Sequence, residues 1–219
     1  MSLKRISMAL GVVLCVAAMA HATVVSYEAT AYLPNETNTT ISLPKFDPNL
    51  GTLTNVEVFL EIRLSGAQVM VENQAGQPQE ATARVINMVN SLTSSVPLLR
   101  TDFRSIGGGD LGINAGQVYA LAPGASDIWS PGALIASDSG DIHSMVWPGY
   151  RGAGDFFDVT LNTLYMTTAT FSGDNGYFCG NTPNGEFYVK VVYTYEVPEP
   201  ASLALLALGS LVLVRRRAH

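Results

Sequence analysis

The sequence predicts an all-β protein: a single antiparallel β-sandwich, jelly-roll-like, flanked by an N-terminal signal-peptide helix and a C-terminal apolar helix. Three observations carry this reading. Apolar and polar residues alternate with period two in several stretches between residues 24 and 196, the mark of half-buried strands. Gly, Pro, Asn and Asp clusters separate those stretches at short intervals, as in sandwiches. Hydropathy is concentrated at the two ends. A chain of 219 residues suits one domain with processed ends.

At the N-terminus, Lys4 and Arg5 precede the uncharged run Ile6–Met19, which leads into Ala20-His21-Ala22. A basic start, an apolar core and an A-x-A site make a secretory signal peptide. The run is shorter than the ~20 residues of a membrane span, and no stop-transfer pattern follows. Residues 1–22 are therefore expected to be removed after Ala22 by the secretory machinery, taking Cys15 with them.

The strands follow. Val25, Tyr27, Ala29, Ala31 and Leu33 share one face; Val56, Val58, Leu60, Ile62 and Leu64 share another, with only Phe59 breaking the polar side. Phe187, Val189, Val191, Tyr193 and Tyr195 repeat the pattern near the end. Shorter strands are expected at Thr39–Leu43, Ala67–Glu72, Gln117–Leu121, Ile142–Trp147 and Phe156–Tyr165. Ala81–Leu92 stays ambiguous, because Val85, Met88, Val89 and Leu92 also fit helical spacing.

After Val197 come Pro198-Glu199-Pro200, then Leu203–Val214 without a charge, then Arg215-Arg216-Arg217. The prolines lack backbone donors and break regular structure. The arginines would hold the short apolar segment's end on the cytoplasmic side of the inner membrane. This tail resembles the PEP-CTERM sorting signal. The resemblance implies a Gram-negative bacterium whose exosortase recognises Pro198-Glu199-Pro200 and removes the tail. It also implies a final place at the cell surface or in the extracellular matrix, with exopolysaccharide and biofilm. Residues 197–219 form this signal and residues 23–196 the domain. Leu43-Pro44-Lys45-Phe46-Asp47-Pro48 and Val191-Val192-Tyr193-Thr194-Tyr195 resemble the choice-of-anchor E domain, a family without established catalytic residues. Phe46 is expected to plug the core edge, and Asp47-Pro48 to shape a turn.

Charge narrows the function classes. Residues 23–199 hold 7 basic and 18 acidic side chains, a net charge of −11. That excludes nucleic acid, whose phosphates need clustered basic groups. No nucleophile–base set, metalloprotease helix, P-loop or dinucleotide fingerprint occurs, so no catalytic residue is assigned. His143 is expected on a strand, half-buried. Asp138/Asp141 and Asp155/Asp158 are expected on loops; as carboxylate pairs they are what a carbohydrate-active enzyme would use. Loop carboxylates are also the ligands of a structural Ca²⁺, the one cofactor weighed; no metal ligand is assigned. Trp129 and Trp147, near Gly-rich loops, are the candidates for lectin-like glycan contact. Cys179, the only thiol after processing, is expected to be buried as a small hydrophobe, with pairing to another chain or remaining free as the alternatives. The function expected is that of an exported, sorted, non-enzymatic surface protein associated with exopolysaccharide; the alternatives are the lectin-like module and the carbohydrate-active enzyme.

Overall fold

The computed structural model describes residues 21–107 and 109–197. The expected terminal helices, with Ala20, Pro198, Glu199, Pro200, Arg215, Arg216 and Arg217, lie outside them. Eleven strands run through the described residues: β1 (His21–Leu33), β2 (Thr39–Pro44), β3 (Thr52–Ser65), β4 (Val69–Asn73), β5 (Gln79–Ser94), β6 (Ile113–Leu121), β7 (Ser126–Trp129), β8 (Leu134–Asp141), β9 (Phe156–Phe171), β10 (Gly176–Gly180) and β11 (Asn184–Val197). Their ladders are all antiparallel. One four-stranded sheet has the order β1-β11-β3-β8 and the other β2-β9-β5-β6, with a smaller sheet β10-β4-β7 beside them. The fold is the all-β antiparallel sandwich that the alternation predicts.

Alternation works because successive side chains on a strand point to opposite faces. On β3, Val56, Val58, Leu60, Ile62 and Leu64 are all buried, and on β11 so are Phe187, Val189, Val191 and Tyr193. Each such side chain contributes roughly 1.5–3 kcal/mol through burial. Three buried tyrosines keep their hydroxyls satisfied on backbone carbonyls: Tyr165 donates to Leu33 O at 2.7 Å, Tyr193 to Pro44 O at 3.0 Å and Tyr150 to Pro97 O at 3.2 Å. Phe46 is buried against Tyr195 and Tyr193, with ring centroids 5.2 and 5.7 Å away. Asp47 caps the short 3-10 helix Pro48–Leu50 by accepting the Asn49 N–H at 2.9 Å.

Four local expectations resolve differently or more sharply. The ambiguous segment 81–92 is strand, part of β5. A bulge between Val89 and Ser91 explains its mixed pattern: Ala81, Ala83, Val85 and Asn87 point inward, and the extra residue shifts the inward parity to Leu92. Ile142–Trp147 is not a strand; Ser144–Tyr150 form a 3-10 helix, with Pro148 inside it. His143 caps that helix instead of lying on a strand, accepting the Met145 N–H on Nδ1 at 3.2 Å. Cys179 is exposed and free on β10, not buried, because all five residues of that short edge strand face solvent.

Candidate functional site

The outer face of the β1-β11-β3-β8 sheet carries a dense lattice of functional groups. The register aligns them in rows across the strands. One row reads Thr30, Tyr188, Glu61 and Ser137; the next reads Glu28, Lys190, Phe59 and Ser139. Phe59 and Tyr188 are both half-buried, and their rings meet edge to face at 5.7 Å and 69°. The Tyr188 hydroxyl donates to Glu28 Oε2 at 2.7 Å. Burial first, then the Glu28 hydrogen bond and the charges of Glu28 and Glu61, push this phenol up to about 12. Glu61 holds Arg63 at 3.2 Å.

Tyr188 is the shared wall of two shallow depressions. One, about 330 Å³, is lined by Thr30, Glu61, Arg63, Glu186 and Tyr188. The other, about 300 Å³, is lined by Glu57, Phe59, Tyr188, Lys190 and Val192. Rings flanked by carboxylates, a guanidinium and an ammonium offer an apolar platform with donors and acceptors at its edge. That chemistry suits a polyhydroxylated chain, whose C–H faces lie on rings while its hydroxyls reach charged groups. Four carboxylates, Glu28, Glu57, Glu61 and Glu186, outnumber the two cations, so the face disfavours polyanions.

The sequence did flag Phe59 as the residue breaking the polar side of its strand. Tyr188 escaped notice, because a tyrosine on an outward position reads as an ordinary β residue until the register sets it beside Phe59. The expected glycan residues lie elsewhere, on separate elements. Trp129 ends β7 in the small sheet, half-buried against the core. Trp147 lies in the 3-10 helix, and its indole N–H donates to Ile142 O at 2.9 Å.

Of the two acidic pairs, only Asp155 is a loop residue, just before β9 begins at Phe156. Asp138 and Asp141 lie on β8, a strand that alternation does not reveal, and Asp158 lies on β9, within the expected strand Phe156–Tyr165. Their carboxylates hold structure. Asp138 pairs with Arg100 at 3.1 Å and accepts the Gly107 N–H at 2.6 Å. Asp141 accepts from Asn55 at 2.7 Å, and Asp158 from Ser42 at 2.5 Å. Among the described residues, no three His, Cys, Asp or Glu side chains gather as a metal site would require.

A second region of interest is the end of the same sheet where β1 begins and β11 finishes. His21 pairs with Val197, Ala22 with Glu196 and Thr23 with Tyr195. On the other side of β11, Glu196 pairs with Thr52, the last rung of that ladder. Gly51 sits so close that a Cβ there would lie 2.2 Å from the Glu196 carbonyl oxygen, and its φ of 153° also favours glycine. The two expected processing segments therefore leave the domain from neighbouring strand ends.

Comparison with known families bears on this end of the molecule. Residues 196–218 match the PEP-CTERM protein-sorting motif. The C-terminus thus carries the sorting signal, beginning where β11 ends. That match does not extend over residues 23–195, the part of the chain that resembles the choice-of-anchor E domain. The comparison with curated proteins gives no match. Among solved structures, the chain is similar to one described as the crystal structure of the STIV MCP, at 14% identity and a TM-score of 0.31, covering 84% of this chain and 51% of that one. It is also similar to the Desmodium yellow mottle tymovirus structure, at 8% identity and a TM-score of 0.20, covering 84% of this chain and 94% of that one. The chain spans about half the length of the first of these. Likenesses at these TM-scores carry no argument about function.

Proposed function

We propose that this is an exported surface protein, sorted at the inner membrane by an exosortase and acting without catalysis as a contact for exopolysaccharide. The observation that carries the sorting is the motif match over 196–218, starting at the last residues of β11. Expulsion of the basic ends leaves an acidic domain, which stays soluble outside the cell. The contact surface in this reading is the Phe59–Tyr188 face, where rings and hydrogen-bonding charges lie together on a rigid sheet. Its excess of carboxylates points to a neutral or amino-sugar chain over an acidic one. The carbohydrate-active enzyme is the weaker alternative, since Asp138, Asp141 and Asp158 are each engaged in holding strands or loops.

Two measurements test the reading. Deleting the host's exosortase should leave the full-length tail on the protein, as read by intact mass; removal of the tail without that enzyme sinks the sorting. Co-sedimentation of the processed protein with neutral polysaccharide should weaken about tenfold in Tyr188→Ala, the loss of one aromatic platform. Retention equal to wild type in a Phe59→Ala/Tyr188→Ala double variant would remove this face from consideration. Release of reducing ends would favour the enzyme.

A further inference from the structure

The ladder between β1 and β11 runs past the expected signal cleavage point. Among the described residues, β1 lies at the sheet edge, with β11 as its only ladder neighbour. The peptide bond between Ala22 and Thr23 is inside that ladder, since both residues have partners, Glu196 and Tyr195. Val197 has a single ladder partner, His21. Glu196 has two, Ala22 on one side and Thr52 on the other. Removal of residues 1–22 takes away both β1 partners at once. Val197 then keeps none, and Glu196 keeps only Thr52. Pro198-Glu199-Pro200 follow immediately in the sequence.

We propose that the two cleavages are ordered through this ladder: signal-peptide removal uncovers the last residues of β11, and only then is the sorting site readily cut. The proposal rests on the sorting reading above. Its physical basis is that extended peptides are recognised largely through their backbone N–H and C=O groups, as an added strand. In the precursor, one of the two residues next to the sorting site, Glu196 or Val197, already directs these groups at β1, since successive residues of a strand face opposite sides. The strand end must first open, and cutting then follows the population of the opened form. Each cut breaks one peptide bond. Water adds across the first, giving the Ala22 carboxylate and the Thr23 amine. In the second, the acyl carbon passes to a nucleophile, water in the simplest case, and the tail leaves with the amine.

The experiment follows the full chain by pulse-chase in a host with active exosortase, reading both ends by mass. Ala22→Leu removes the small residue the signal site needs and leaves the strand intact. His21→Pro/Ala22→Pro also removes it, but breaks the ladder. Successive residues of an antiparallel strand point their N–H groups in alternate directions, so one of the two prolines deletes a donor towards β11. Ala22→Leu should keep its signal and lose its tail about tenfold more slowly than wild type, the cost of opening one or two net hydrogen bonds. The double-proline chain should keep its signal and recover the wild-type rate of tail loss. Tail loss from Ala22→Leu at the wild-type rate overturns the proposal. So does a double-proline chain as slow as Ala22→Leu, which would assign the delay to the retained membrane segment and not to the ladder. Failure of the sorting reading itself is seen separately, as tail loss by the wild-type chain in a host lacking the enzyme.

Discussion

Phe46 offers the most direct measure of how the sandwich is closed at its edge. The side chain is only 1% exposed and touches the rings of Tyr193 and Tyr195. Its backbone is fixed independently: Phe46 N–H donates to Tyr150 O at 2.8 Å, and Phe46 O accepts from Gly152 N at 3.0 Å. Phe46→Ala therefore removes packing and leaves those hydrogen bonds in place. Deleting a buried phenylalanine costs about 3–5 kcal/mol, including the cavity. Two aromatic pairs, worth about 0.5–1.5 kcal/mol each, lie within that figure. For a domain of this size each kcal/mol lowers Tm by about 2–4 °C, so the expected drop is on the order of 10 °C. Circular dichroism of the processed protein during urea and thermal unfolding measures it. Phe103→Ala is the control, because Phe103 is 67% exposed. That change should stay within about 0.5 kcal/mol. A Phe46→Ala shift no larger than the Phe103→Ala shift would refute the claim that the 46–48 corner is core.

The remaining predictions concern titration and thiol chemistry. Burial raises the Tyr150 and Tyr193 phenols above the ordinary value of 10.0, and Tyr188 rises to about 12. An unfolded chain releases these protons near pH 10 while the folded one keeps them, so stability is full below that pH and falls as pH rises through it. The urea midpoint should drop between about pH 9 and pH 11; a flat midpoint over that range would contradict the buried tyrosines. Cys179, exposed on β10, should react with maleimide as completely in the native protein as in urea, and labelling seen only after unfolding would place the thiol inside.

What was legible in the sequence follows from what alternation encodes. The inward faces of β3 and β11 were readable because each keeps one parity over a long run, Val56–Leu64 on β3 and Phe187–Tyr195 on β11; the irregularity that puts Leu53 on the other parity is confined to the start of β3. The β5 segment was not, because its bulge changes parity midway and scatters apolar residues into helix-like spacing. β8 is hidden at Asp138 and Asp141, since aspartate is a turn former whose position on a strand depends on a partner such as Arg100 or Asn55. Cys179 was misplaced for a related reason: a small apolar residue favours burial on average, and only the sheet order reveals that β10 is an edge. The candidate face was half legible. Phe59 stood out against its strand's polar side, but pairing it with Tyr188 needs a register between residues 129 positions apart, which no local pattern contains.

The position of β11 has a consequence for how the chain acquires its fold. The last of the described strands is a central strand of its sheet, sandwiched between β1 and β3. Until it arrives, β1 has no ladder partner among the described strands, and β3 presents a bare edge beside β8. Contacts between the first and last segments of a chain are the slowest to form, because the whole intervening loop must close. The domain is thus unable to complete itself on a partly delivered chain, which keeps it threadable through a narrow channel. The same delay leaves two apolar strand edges open to neighbouring copies, so a shortage of whatever shields newly delivered chains should show first as aggregation through β1 and β3.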